Sequence, residues 1–230
     1  MNRAHTLLPR GIVISLVPVR HGPVPGDAVL AALVHAAEEG GASGSLVDGV
    51  ERLRFVKRLT TLPLIGRGVR TGGEGAPAGA NPAAEARALV EAGADLVQVD
   101  GMPQSGRDPV PAASLIAAIR AEVNVPCIAA VSSPDEGLAA SEAGAELFST
   151  TAGAALTVRK VRPDVPDLDL VEQLSQALPD RVLAEGRFWT PEQASLALKL
   201  GAWGVILDDV VSSPLAVVKR FSAAVRPTLN

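Results

Sequence analysis

Three segments of the chain, EAGADLVQVD (91–100), EAGAELFST (142–150) and KLGAWGVILD (199–208), repeat one plan: a helix end, a Gly-Ala stop, and an apolar strand closing on a polar residue. Glycine supplies the left-handed turn that ends a helix, and alanine packs where the chain enters a sheet. A parallel strand buried on both faces reads as a continuous apolar run, so recurrence at about two-unit spacing fits a barrel of βα repeats. The fullest copy is DRVLAEGRFWTPEQASLALKLGAWGVILDD (180–209). It reads strand, polar tip, helix opened by Thr190-Pro191-Glu192, a stop at Gly201, strand, polar tip.

Taken along the chain, the pattern predicts strands near 11–17, 42–47, 62–66, 95–100, 125–131, 145–150, 181–185 and 203–208. Helices are expected near 26–39, 49–59, 82–92, 111–122, 133–143, 167–178, 190–200 and 212–225. Eight βα pairs in this length make an α/β chain of the (βα)8 TIM barrel class, one domain spanning 1–230. A doubly wound open sheet is the alternative. It usually carries a Gly-rich phosphate turn after the first strand, where this chain has Val19-Arg20-His21-Gly22-Pro23.

Composition narrows the partners. The 230 residues are 47% hydrophobic, enough for a large core. A net charge of -4 and only 3% aromatic residues, with no Tyr, argue against a nucleic-acid surface. The single Cys127 excludes an internal disulfide framework, and its apolar run predicts a buried, inert thiol. Gly11 to Val19 is broken by Pro18, which suits a first strand better than a signal peptide or a membrane span. A cytoplasmic protein acting on a small molecule, with no membrane partner and no cofactor, is expected. Outer helices of such barrels often mediate dimers, which makes a homodimer the expected assembly.

Chemistry in such folds collects at the carboxyl ends of strands, so Glu185, Arg187, Asp208 and Asp209 are the first candidates. Two long connections leave from the same side, 67–81 and 151–166. The first, RGVRTGGEGAPAGAN, reads either as an active-site loop or as a bare solvated one. His21, at the tip of strand one, has an ordinary pKa near 6.5 that suits proton transfer, against the plainer reading of a solvated loop histidine. Convergence of Asp100, Glu185, Asp208 and Asp209 on a hard cation is conceivable chemically, but no metal motif is spelled out and no metal is expected.

GASGSLVDGVERLRFVK, VEAGADLVQVD, SSPDEGLAASEAGAELFSTTAG and VLAEGRFWTPEQASLALKLGAWGVI resemble successive segments of the bacterial N-acetylmannosamine-6-phosphate 2-epimerase family, a (βα)8 barrel. The resemblance implies inversion at carbon 2 of an N-acetylhexosamine 6-phosphate by proton removal and return. It also implies a lysine and a glutamate at the reacting carbon, with phosphate on backbone N–H groups around the last two strands. Asp100, Thr150, Thr151 and Glu185-Gly186-Arg187 match that pattern. Val69, followed by Arg70, stands where the lysine should be. Val17, Leu46 and Ala130 stand where the family has a glutamine, an arginine and an aspartate. Asp208-Asp209 replace the glycine-serine pair that admits phosphate, and a carboxylate beside a phosphate would cost several kcal/mol at an effective dielectric of about 20.

These departures lead to one main expectation and two alternatives. The main one is a repurposed barrel in which Glu185, with Asp100 or His21, performs acid–base isomerisation or cyclisation of a less polar, unphosphorylated molecule, such as one from natural-product biosynthesis. Loss of polar partners around Glu185 would raise its pKa towards neutrality. Arg187, Thr150, Thr151, Val17, Leu46, Val69, Arg70, Ala130, Asp208 and Asp209 would line the substrate. The first alternative is an authentic N-acetylmannosamine-6-phosphate 2-epimerase whose base has moved to Lys160 or His21, since Lys57, Lys199 and Lys219 lie in helices outside the mouth. The second is a non-catalytic binding barrel.

Overall fold

Strands form at all eight apolar runs: β1 (Gly11–Ser15), β2 (Gly44–Asp48), β3 (Leu64–Val69), β4 (Leu96–Asp100), β5 (Cys127–Val131), β6 (Leu147–Thr150), β7 (Val182–Glu185) and β8 (Gly204–Leu207). They pair in sequence order, all parallel, and β1 closes on β8. The structure is a computed structural model that describes residues 3–16, 26–69, 81–100, 112–150 and 165–226. Val17, His21, Arg70, Thr151 and Lys160 lie outside the described residues, as do most of 67–81 and 151–166. Val69 and Asp100 are described as strand backbone only.

Helices follow the strands as α2 (Asp27–Glu39), α3 (Val50–Lys57), α4 (Pro82–Glu91), α5 (Ala112–Glu122), α6 (Pro134–Glu142), α7 (Leu168–Ala177), α8 (Pro191–Lys199), α9 (Asp209–Ser212) and α10 (Pro214–Val225). The repeated Gly-Ala stops do what their sequence implies. Gly93, Gly144 and Gly201 take φ of 108°, 101° and 103°, and Ala94, Ala145 and Ala202 behind them are buried. The pattern missed two features. The expected helix 212–225 forms as α10, and a separate short turn, α9, precedes it, because Pro214 has no N–H to extend that turn while the Ser213 hydroxyl accepts from Ala216 N at 3.1 Å and starts α10. A short helix α1 (Arg3–Leu7) also precedes the barrel.

Side chains of a strand alternate between the two faces, so the register assigns every position to the inside or the outside. One inward layer is apolar: Val13, Leu46, Ile65, Leu96, Ile128, Leu147, Leu183 and Ile206, one from each strand. Alternate residues face the helices and form the larger core with them. Cys127 belongs to that outer core, where burial pushes its thiol up to about 11, as an inert cysteine requires. α1 closes the amino end of the barrel, with Ala4 and Leu8 fully buried against the inner layer. Trp203 Nε1 donates to Leu8 O at 2.9 Å, and the His5 ring stacks on Trp203 at 4.0 Å. With that end plugged, access to the interior is from the carboxyl ends of the strands. Among the described residues, no helix is long and apolar enough to cross a membrane.

Candidate active site

Two residues beyond the apolar layer, the same inward register places Ser15, Asp48, Arg67, Gln98, Ala130, Ser149, Glu185 and Asp208 around the barrel mouth. The change from an apolar layer to one that is polar except at Ala130 makes this level the candidate site. Glu185 is its centre, and its side chain is only 6% exposed. Arg67 Nη1 lies 3.2 Å from Glu185 Oε1, and Gln98 Nε2 donates to Oε2 at 2.8 Å. Thr150 fixes the backbone: its hydroxyl accepts from Glu185 N at 2.8 Å and donates to Glu185 O at 2.9 Å. A carboxylate with a cation, an amide donor and a clamped backbone is held in place before any substrate arrives.

Arg67 reaches Glu185 because of a break in β3. The pairing runs Arg67 with Gln98 and then Val69 with Val99, so Gly68 is the extra residue of a bulge, at φ 152°. Arg67 and Gln98 therefore stand side by side and point into the mouth. Gln98 Nε2 also reaches Ser149 Oγ at 2.7 Å, while its Oε1 is buried with no partner among the described residues. An unsatisfied acceptor in a pocket fits a donor on a ligand.

Asp208 follows β8 and enters the mouth next to β7. Burial lifts its carboxyl from the ordinary 3.8 to about 7; the Glu185 charge adds to the rise, while Ser15 and Arg67 offset part of it. The two carboxyl groups thus differ in their surroundings: a guanidinium pairs with Glu185, while burial raises Asp208. Asp209 begins α9 and lines a cavity together with Arg187, Trp189 and one face of α10. Arg187, two residues past Glu185, takes a left-handed φ of 63° and lines that cavity.

Several expectations are modified by this geometry. Leu46 packs in the apolar layer, fully buried, and Ala130 is buried in β5 in register with Asp100 and Ser149. Thr150 is spent on Glu185. Glu185 has not lost its polar partners, so the premise for its expected desolvation is corrected: Arg67 and Gln98 replace them. Lys57 and Lys199 do lie away from the mouth, Lys57 bonding Asp95 at 3.3 Å beside the start of β4. Lys219, exposed on α10, lines the cavity that Arg187 also lines, and none of the mouth residues lines it. Among the described residues, no group of three or more His, Cys, Asp or Glu could hold a metal ion. Arg67, Gln98 and Ser149 were not singled out by sequence. A lone glutamine inside the run Leu96 to Asp100, and a glycine directly after an arginine inside a strand, were the available signals.

Residues 30–227 match a family model described as "Putative N-acetylmannosamine-6-phosphate epimerase". The chain belongs to the N-acetylmannosamine-6-phosphate epimerase family. It is 33% identical over 217 residues to a "Putative N-acetylmannosamine-6-phosphate 2-epimerase" of Escherichia coli O157:H7, covering 94% of this chain and 92% of that protein. The likeness to a protein of the same description from Shigella flexneri has the same extent. Among solved structures, the N-acetylmannosamine-6-phosphate 2-epimerase from Clostridium perfringens shares the fold, with a TM-score of 0.80 over 95% of this chain and 94% of that one at 24% identity. The bulge in β3 turns Arg67 towards the strand-seven glutamate.

Proposed function

We propose that the protein is an acid–base epimerase of an N-acylhexosamine 6-phosphate, with Glu185 and Asp208 as the proton-transfer pair. The observation that carries this is a second carboxyl, on β8, beside the arginine-held carboxylate of β7. It favours the reading of an epimerase whose second acid–base group has moved, with Asp208 in that role in place of Lys160 or His21. The main expectation of an unphosphorylated substrate gains no support from the relatives, whose names specify a phosphorylated one.

In the open-chain sugar, the hydrogen on carbon 2 is acidic because the adjacent carbonyl can take up the electron pair. Glu185 carboxylate removes that proton, and the C2–H pair becomes the double bond of an enolate. The Arg67 guanidinium faces the oxygen on which charge develops, where a fixed cation is most effective. Asp208, protonated, returns a proton to carbon 2 from the other side, leaving Glu185 protonated and Asp208 ionised. The reverse reaction exchanges the two roles, so each direction needs one proton on the pair. A protonated Asp208 also removes much of the repulsion that a charged carboxylate would exert on a phosphate.

Incubation with N-acetylmannosamine 6-phosphate, and separately with its carbon-2 epimer, in heavy water tests the pair. The wild type should interconvert the two and take up deuterium at carbon 2. Glu185→Gln and Asp208→Asn should each stop interconversion, and each should abolish exchange on a different epimer. Interconversion by Asp208→Asn, or no exchange by the wild type, would overturn the assignment. A homodimer is part of the same proposal. Leu215, Val218, Phe221 and Val225 form an apolar stripe on α10 that stays 47%, 61%, 69% and 50% exposed, and a second copy is the occupant a symmetric contact would supply.

A further inference from the structure

Gln98 stands in the mouth layer on β4, facing inward and only 3% exposed. The family resemblance assigns it no role. Its amide is tied down at one end and unmet at the other. Nε2 donates to Glu185 Oε2 at 2.8 Å and to Ser149 Oγ at 2.7 Å, which uses both of its hydrogens. A carboxylate only accepts, so the nitrogen has to face Glu185 and the amide cannot turn round. Oε1 is thereby directed to the opposite side, where it is buried with no partner among the described residues. A carbonyl oxygen cut off from water without a donor destabilises the protein that holds it, so its presence in the layer that carries the chemistry calls for a donor from outside the chain.

The oxygen lies close to the reacting carbon. The nitrogen and oxygen of one amide are about 2.2 Å apart, so the 2.8 Å bond to Glu185 puts Gln98 Oε1 at most about 5 Å from the carboxylate oxygen Oε2. A carboxylate oxygen removing a proton from carbon 2 stands about 3 Å from that carbon, and the atom bonded to carbon 2 is about 1.5 Å further. A hydrogen bond of about 2.9 Å from that atom then reaches Oε1. The donor that fits is one attached directly to carbon 2, and in an N-acylhexosamine that is the amide N–H. β5, which lies between β4 and β6, contributes only the methyl of Ala130 to this layer. The wall beside the Gln98 amide is small and apolar on that side, as the acyl end of the same group requires.

We infer that Gln98 is the residue that recognises the acylamino group on carbon 2, its Oε1 accepting the amide N–H while its Nε2 holds the Glu185 carboxylate against the hydrogen on the same carbon. The ligand named here rests on the epimerase reading, and the two can fail separately. The test is calorimetric titration of the full chain with three open-chain alditol 6-phosphates, which have no carbonyl and so do not turn over. They carry at carbon 2 an acetylamino group, an acetoxy group or hydrogen. The wild type should bind the acetylamino compound about tenfold more tightly than the acetoxy one, which has the same shape but an oxygen where Gln98 Oε1 meets an N–H. Gln98→Leu should bring these two to within about twofold of each other, and should weaken the acetylamino compound about fivefold more than the compound with hydrogen at carbon 2. Misplacement of Glu185 alone would weaken all three compounds alike, so the preference isolates the contact at Oε1. Gln98→Met, of nearly the same length, serves where the leucine variant does not fold. Equal binding of the acetylamino and acetoxy compounds by the wild type, binding of neither, or a preference kept by the variants would overturn the role of Gln98, whatever the carbon-2 exchange shows. A preference abolished by the variants, with no carbon-2 exchange by the wild type, would keep Gln98 as the acylamino acceptor and remove the epimerase reading.

Discussion

Glu185 and Asp208 are the same functional group in two surroundings, and the surroundings decide their roles. Glu185 receives Arg67, Gln98 and the double hydrogen bond of Thr150 to its backbone. Asp208 receives burial first and the neighbouring negative charge second, which together bring its carboxyl to about 7. A folded-state pKa above the unfolded value means that the native protein holds a proton the unfolded chain has released. Stability therefore falls as pH rises from about 4 through about 7, and the loss is complete above that range. Asp208→Asn should remove this component, so the difference in melting temperature between variant and wild type should widen in the variant's favour between pH 5 and 8. Thermal melts at closely spaced pH values would show it, and parallel curves would contradict the burial of Asp208. The same titration sets the catalytic window, since the singly protonated pair becomes scarcer above about pH 7.

At the scale of elements, one glycine determines what β3 offers to the mouth. Gly68 adopts a φ of 152° at the register shift, and a built Cβ would meet only ordinary van der Waals contacts, the nearest being Gly49 N at 3.8 Å. Substitution there is a matter of backbone strain, with no crowding. Gly68→Ala should cost on the order of 1–2 kcal/mol in chemical denaturation and should lower turnover more than stability accounts for, because Arg67 leaves Glu185 when the bulge relaxes. Unchanged turnover in this variant would separate Arg67 from the chemistry. The strand-seven side is stiffer: Thr190, Gln193 and Pro191 cap α8 and hold Trp189 through the same network. The bulge on one side and the cap on the other position the acid–base pair and the cavity.

Across the whole molecule, the barrel is sealed at its amino end by α1 and carries an exposed apolar stripe on α10. Sedimentation or light scattering should show a dimer for the wild type, and Val218→Glu with Phe221→Glu should shift it to a monomer; a monomeric wild type would refute that use of the stripe. The eight strands, the barrel class and the strand-tip location of Glu185, Arg187, Asp208 and Asp209 were legible in sequence, because apolar runs, Gly-Ala stops and polar tips are local signals read along the chain. The period-two alternation even contained the mouth layer, but which parity faces inward is fixed only when eight strands close on one another. Arg67 stood in what read as a loop, and a bulge is visible only against the strand it mispairs with. Lys219 read as a helix surface lysine, and only the fold puts it in one lining with Arg187 and Trp189. The sequence by itself determined the repeating βα architecture and the identity of the strand-end carboxylates, since both depend on neighbours within a few residues. Tertiary structure alone decided which of those carboxylates pairs with Arg67 and which is raised by burial, since burial and Coulomb interactions act between groups that lie far apart in the chain and meet only in the closed barrel.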